Sequence, residues 1–165
     1  MESRAKFLGH PIHQQLIVFP LGLLGMAVIF DIISFATHNM RWTEAAFYMI
    51  GAGIVTGLLA AIFGLIDWMA VPPNTRAKSL GLTHGVGNVI VVLLFLGSFY
   101  FRWADPANVP PFGYVLSFIG FAIALFTGWL GGELVDRLGV GVDNGASLDA
   151  PSSLTSRSAR RRPAA

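Results

Sequence analysis

The chain has 165 residues, of which 54% are hydrophobic and only 12% are charged, and its mean hydropathy is +0.64. This balance lies well outside that of a soluble globular domain and indicates an integral membrane protein. The sequence contains no cysteine, which excludes disulfides, thiolate metal sites and cysteine-ligated iron–sulfur clusters within this chain. Any metal must therefore be held by nitrogen and oxygen atoms.

Four stretches of low charge are each long enough for a helix to cross the roughly 30 Å hydrocarbon layer, which needs about 20 residues. They cover residues 12–36, 45–68, 80–101 and 112–138. Continuous apolar runs favour helices over a β-barrel, whose strands alternate. We therefore predict an all-α, integral membrane four-helix bundle over residues 9–139. A short tail precedes it over residues 1–8, and a disordered basic tail follows over residues 140–165, ending in a run, Arg160–Arg162, that can contact anionic lipid.

The first span opens with the motif Gly9-His10-Pro11-Ile12-His13. Proline disfavours the α conformation in the residue before it, so we expect the helix to begin at Pro11, with His10 beside its cap and His13 in its first turn. The positive end of the helix dipole disfavours imidazolium there, which biases both rings toward the neutral, ligand-competent form.

Further along the first span, Pro20 cannot donate to the carbonyl of Leu16 and predicts a kink over residues 16–20. Asp31 follows about 20 residues after the start of the span, where we expect it to be interfacial, because an acid is cheaper there than at the midplane. Arg102, at the end of the third span, is expected at the same far interface.

The distribution of lysine and arginine predicts the orientation of the chain. With four spans, both termini and the second loop lie on one side, and the first and third loops lie on the other. The first side holds nine basic residues and the second holds two. The positive-inside rule therefore predicts a bacterial inner-membrane protein with both termini on the cytoplasmic side. The nine are Arg4, Lys6, Arg76, Lys78, Arg137, Arg157, Arg160, Arg161 and Arg162, and the two are Arg41 and Arg102.

This topology brings ionisable groups from all four spans to the cytoplasmic end. The imidazoles come from helix N-termini and the carboxylates from helix C-termini. At a C-terminus the helix dipole disfavours a negative charge, so each carboxylate needs a cation, a proton or a metal to compensate its charge. Asn88 follows His84 by four residues, and Trp129 precedes Glu133 by four. The predicted cofactor-binding residues are His10, His13, His84, Asn88 and Trp129, and the predicted metal ligands are His10, His13, His84, Asp67 and Glu133.

Three interpretations of this layer remain open from the residues alone. It is a structural or proton-handling network, a b-type haem site formed by His84 with either His10 or His13, or a zinc or non-haem iron site that also uses the carboxylates. No serine nucleophile with a base, phosphate-cradling loop or nucleic-acid surface is visible, so the chain shows no hydrolytic or transferase motif. Small residues from Gly120 to Gly132 at four-residue steps allow either packing within the bundle or a homodimer.

Several motifs together resemble the bacterial membrane family called domain of unknown function 2231. They are Gly9-His10-Pro11-Ile12-His13, Phe19-Pro20-Leu21-Gly22, Gly64 with Asp67, Thr83-His84 with Asn88, and Gly128-Trp129-Leu130-Gly131-Gly132-Glu133-Leu134. The resemblance covers residues 9–142 and implies a four-helix membrane protein. Relatives joined to Rieske-type ferredoxin domains imply an electron-transfer setting and a Rieske-type redox partner, which favours haem over zinc by analogy.

Overall fold

The structure, a computed structural model, describes residues 1–155. The predicted lipid contact of Arg160–Arg162 lies outside these residues. Two short strands are followed by four helical spans, the first in two pieces and the last ending in a π-helical turn. The elements are β1 (Lys6–Phe7), β2 (His10–Pro11), α1 (Ile12–Leu16), α2 (Val18–Thr37), α3 (Arg41–Ala70), α4 (Arg76–Arg102), α5 (Pro111–Gly132) and the π-helical turn Glu133–Arg137.

The predicted all-α, four-span membrane fold is confirmed. Four helices are long and apolar enough to cross a membrane, over Ile12–Thr37, Arg41–Ala70, Arg76–Arg102 and Pro111–Arg137. The second and third spans begin four residues earlier than the hydropathy pattern indicated, because polar residues form their first turns. At the start of α4, the Thr75 side chain accepts a hydrogen bond from the Lys78 backbone N–H, which caps the helix.

The four spans form a ring in which each one packs against its two neighbours in sequence, and the fourth closes against the first. The first and third spans therefore lie diagonally opposite each other. The core of the ring is apolar and contains Leu24, Ala27, Val28, Ala46, Ile50, Ile54, Val91, Phe95 and Ala124. We call the end that carries residues 1–11 and the α3–α4 loop the termini end, and the opposite end the far end.

The start of the first span differs by one residue from the prediction. Pro11 pairs with Lys6 in a two-residue antiparallel ladder, and its extended backbone (ψ 124°) makes it the cap of α1, so that Ile12 is the first helical residue. The regular helix is interrupted at Ile17, between α1 and α2, within the stretch where a kink was predicted. Proline at position 20 lacks the N–H that would continue the hydrogen-bond ladder.

Asp31 lies toward the far end of the first span, as its position in the sequence predicts, and it faces the interior of the bundle. Its side chain is fully buried and pairs with that of Arg102, which is also fully buried. The carboxylate is accommodated away from water because the guanidinium neutralises it, donating from Nη1 to Oδ1 at 2.9 Å and from Nη2 to Oδ2 at 2.6 Å.

Residues 140–155, where we predicted disorder, contain no helix or strand but contact the N-terminal segment. The Met1 ammonium donates to the Gly139 carbonyl at 2.7 Å, and the Gly141 N–H donates to the Met1 carbonyl at 2.8 Å. Nearby, Lys6 pairs with Glu2, and this hydrogen bond lowers the pKa of the exposed Glu2 carboxyl. The two ends of the described chain thus lie together at the termini end of the bundle.

Candidate functional site

Two of the four histidines meet inside the bundle, across its diagonal. The rings of His13, on the first span, and His84, on the third, have centres 6.4 Å apart and planes at 87°. Both side chains are partly buried. The structure therefore brings together one predicted imidazole from each of the two spans.

Each ring is held by a backbone carbonyl of the span that follows its own. His13 Nδ1 lies 2.8 Å from the Ala60 oxygen, and His84 Nδ1 lies 2.9 Å from the Thr127 oxygen. A carbonyl oxygen can only accept, so each Nδ1 carries the proton and each neutral ring keeps its lone pair on Nε2. This is the tautomer in which an imidazole can bind a metal through Nε2.

The first and second spans form one helical hairpin, and the third and fourth spans form another. His13 and His84 occupy equivalent positions in these two hairpins. The residue four positions after each accepting carbonyl is a glycine, Gly64 beside His13 and Gly131 beside His84. A Cβ at Gly64 would lie 2.9 Å from His13 Cε1 and Nδ1, and a Cβ at Gly131 would lie 3.3 Å from His84 Cε1. The absence of a side chain at these positions is what lets the rings reach the helix backbone.

Asn88 makes the surroundings of His84 different from those of His13. Its amide nitrogen lies 3.1 Å from His84 Nε2 and donates to the His84 carbonyl at 2.9 Å, while the Thr127 hydroxyl donates to its side-chain oxygen at 3.0 Å. The corresponding residue of the first hairpin, four after His13, is the apolar Ile17. Within residues 1–155, His13 Nε2 has no such hydrogen-bond donor.

Asp67, a predicted metal ligand, binds the N-terminal segment instead. Its carboxylate accepts from the Ser3 hydroxyl at 2.7 and 2.8 Å, from the Arg4 N–H at 2.8 Å and from the Ala5 N–H at 3.3 Å. It follows Ala60, the partner of His13, by seven residues, or about 10 Å of helix. Asp67 therefore lies nearer the termini end than the imidazoles and ties residues 3–5 to the second span.

The other predicted site residues are also placed apart from the imidazole pair. Glu133 pairs with Arg76 at 2.8 Å and lies 4.0 Å from Arg137. Trp129 is 61% exposed on the outer surface and stacks on Phe126. His10, exposed on β2, lies 3.3 Å from the Ser153 hydroxyl.

Among residues 1–155, no three or more histidine, cysteine, aspartate or glutamate side chains form a group that could hold a metal ion. The protein groups available at the imidazole pair are thus the two Nε2 atoms and the Asn88 amide. Four-coordinate zinc needs three or four protein ligands, whereas a haem iron, already held by four porphyrin nitrogens, needs two. The donor set present here fits an axial haem pair better than a zinc site.

The groups that orient the rings were not predicted from the sequence. They are the Ala60 carbonyl, the Thr127 carbonyl and hydroxyl, and the two flanking glycines. One signal for them was present in the sequence. A small residue is followed by glycine four positions later near the end of both the second and the fourth span, as Ala60 with Gly64 and as Thr127 with Gly131. Such spacings are typical of close helix packing, and here they also leave room for an imidazole to hydrogen-bond to a backbone carbonyl.

Comparison with known proteins finds a family described as "Predicted membrane protein (DUF2231)", whose sequence model matches residues 9–144. The match includes both hairpins and all of the histidines. No curated protein and no solved structure matches the chain.

Proposed function

We propose that this chain, which belongs to the DUF2231 family of predicted membrane proteins, binds a b-type haem between His13 and His84 and takes part in electron transfer within the membrane. The supporting observation is the 6.4 Å separation of the two ring centres. Two imidazoles bonded at about 2.0–2.1 Å on opposite sides of one ion have their ring centres about 6 Å apart. The family description names no activity, and the geometry of the two rings is what supports haem binding.

The residues around the pair would act by orienting the ligands. The Nδ1–carbonyl hydrogen bonds fix both rings and direct their Nε2 lone pairs away from the helix backbone, which also increases ligand basicity. Because the Asn88 amide lies 3.1 Å from His84 Nε2, it would have to turn aside for that atom to hold a haem. A bound haem would supply one-electron transfer, and His13 and His84 would hold it inside the low-dielectric bundle.

We further propose that the termini end faces the cytoplasm. Of the two basic residues at the far end, Arg102 is fully buried and neutralised by Asp31, which leaves Arg41 as the basic residue there that remains exposed. The positive-inside rule concerns basic residues in the loops flanking the spans, so the burial of Arg102 strengthens the asymmetry. A redox partner such as a Rieske-type protein would then dock from the membrane surface.

A second function, a bundle that handles protons or serves only as a structural element, is favoured by one observation. The hydrogen bonds among His84, Asn88 and Thr127 are complete without any ligand. In that case the two imidazoles pack edge to face as neutral groups, and His84 needs no cofactor to complete its hydrogen bonds.

Visible spectroscopy distinguishes the two functions. Full-length protein is produced in haem-replete cells and purified in mild detergent, and its oxidised and dithionite-reduced spectra and its metal content are measured. We expect the Soret and α bands of low-spin, bis-imidazole haem at about one haem per chain. Protein without a Soret band after production with added haem precursor would refute the haem proposal, and bound zinc in its place would favour the non-haem alternative.

A further inference from the structure

A lipid-facing groove runs along the seam between the third and fourth spans. It encloses about 420 Å³, and its lining is largely apolar. The lining includes Thr83, Val86 and Ile90 of the third span and Ile123, Phe126 and Thr127 of the fourth. Val86, Ile90 and Phe126 are each at least 44% exposed, so the groove opens toward the acyl chains rather than toward the core.

Charged residues lie in line with this groove at the termini end. Arg76 precedes Thr83 by seven residues, and Thr83 precedes Ile90 by seven, so the three lie along one face of α4. On the fourth span, Glu133 follows Phe126 by seven residues. The Arg76–Glu133 ion pair therefore crosses the same seam, about 10 Å above the upper lining of the groove.

A second guanidinium lies beside this ion pair. Arg76 and Arg137 both approach the one carboxylate of Glu133, at 2.8 and 4.0 Å, and their side chains are 63% and 76% exposed. An arginine carries five N–H donors in a planar fork that matches a phosphate, and both of these side chains are exposed. Asp136, the neighbouring acid, is exposed and makes no ion pair with either arginine.

We propose that this seam is a binding site for an anionic phospholipid, with the phosphate against Arg76 and Arg137 and an acyl chain in the groove. The dimensions agree, since the groove begins about 10 Å and ends about 21 Å below Arg76 along the helix, within the reach of one leaflet. Basic groups above a cleft between membrane helices are typical of phospholipid headgroup sites. The inference is independent of haem binding.

The test compares lipids and variants on the full-length protein. Thermal unfolding and native mass spectrometry in one detergent are measured with phosphatidylglycerol, with phosphatidylcholine and with inorganic phosphate. We expect phosphatidylglycerol to stabilise the protein more than phosphatidylcholine does. In Arg76→Gln/Arg137→Gln its affinity should fall about 25-fold, because each basic residue near a lipid surface contributes roughly a factor of five. Arg41→Gln at the far end is the matched control and should keep the wild-type preference.

The groove is tested separately, with variants that leave both arginines in place. Val86→Trp fills the groove and should weaken phosphatidylglycerol binding, whereas Val89→Trp, which is also lipid-facing but outside the groove, should not. If both lipids stabilise wild-type protein equally, or if the double arginine variant keeps the lipid preference, the proposed site is wrong. If inorganic phosphate reproduces the stabilisation, or Val86→Trp has no effect, an acyl chain does not occupy the groove.

Discussion

Asp31 and Arg102 form a two-point ion pair that joins the same diagonal spans as the imidazole pair, at the opposite end of the bundle. Eighteen residues separate His13 from Asp31, and eighteen separate His84 from Arg102. Eighteen residues are about five full turns of helix, so on each span the two polar residues project toward the same side. The first and third spans are thus joined by polar contacts at two depths about 27 Å apart.

The hydrogen-bonding groups around this ion pair are also satisfied. Arg102 Nε donates to the Ser98 hydroxyl, which donates in turn to the Gly113 carbonyl at 2.6 Å, and the guanidinium carbon lies 5.0 Å from the Tyr114 ring centre. Among the described residues, no buried side-chain nitrogen or oxygen lacks a partner. Each nitrogen of the guanidinium therefore has a hydrogen-bond partner, and the bundle shields the side chain from lipid.

Removing one partner of this pair should destabilise the protein far more than removing both. Asp31→Asn leaves a buried guanidinium without its counter-charge, and we expect a loss of about 3–5 kcal/mol in the free energy of unfolding. Asp31→Leu/Arg102→Met, which replaces both charges with apolar groups, should lie much closer to wild type. Denaturant unfolding in detergent micelles measures the difference, with Asp105→Asn, an exposed acid in the far-end loop, as the control.

The opposite ranking would change the interpretation of this pair. A double variant as unstable as Asp31→Asn would mean that the ion pair itself supplies stability in the membrane. A wild-type stability for Asp31→Asn would mean that water or a rearranged side chain reaches Arg102.

The spans could be predicted from the sequence, because hydropathy over about 20 residues depends only on local composition. The Asp31–Arg102 pair could not, since its members are 71 positions apart and each one alone is acceptable at an interface. The equal eighteen-residue spacing from a histidine was the available signal. It becomes meaningful only when the first and third spans are known to face each other across the bundle.

The histidine pair was predicted in part. Sequence spacing selected His84 with either His10 or His13, and could not choose between two residues three positions apart at a helix start. The structure separates them because residues 10 and 11 form strand β2, which leaves His10 exposed at Ser153 and directs His13 toward Ala60. Strand β2 forms because residues 10 and 11 pair with Lys6 and Phe7. The hydropathy pattern does not predict this pairing.

Adding a methyl group at Gly64 should disturb the site more than adding one at Gly131. The new Cβ of Gly64→Ala would lie 2.9 Å from two atoms of His13, whose ring is anchored to Ala60 and cannot shift without losing that hydrogen bond. Overpacking of this kind costs about 1–3 kcal/mol, which corresponds to a roughly fivefold to 150-fold loss of cofactor affinity. Haem content per chain after purification is the measurement.

Two further glycines complete that series. For Gly131→Ala the nearest His84 atom is 3.3 Å away, so we expect a smaller loss, and Gly128→Ala meets nothing within 4 Å and serves as the control. Equal haem content in all three variants would show that His13 does not need its position beside Gly64 in order to bind.

Asp67→Ala should release the N-terminal segment from the second span. The carboxylate accepts from the backbone N–H groups of Arg4 and Ala5, and hydrogen bonds to charged groups contribute about 1.5–3 kcal/mol each. We therefore expect hydrogen exchange of these two amides to accelerate at least tenfold, with little change in the spans. Asp136→Ala, an exposed acid at the same end, is the control, and unchanged exchange in Asp67→Ala would show that residues 3–5 are held by other contacts.

Single alanine substitutions at three histidines give the most direct test of the proposed ligands. His84→Ala and His13→Ala each remove one of the two Nε2 atoms and should abolish low-spin haem, whereas His10→Ala should retain it, because His10 contacts Ser153 at the surface. Asn88→Ala should retain haem with altered affinity, within the tenfold to hundredfold range usual for a group that acts through a ligand. The reduced-minus-oxidised spectrum of each variant is compared at equal protein concentration. If His84→Ala keeps the wild-type spectrum, or if His10→Ala loses haem while His13→Ala does not, the His13–His84 pair is not the axial pair.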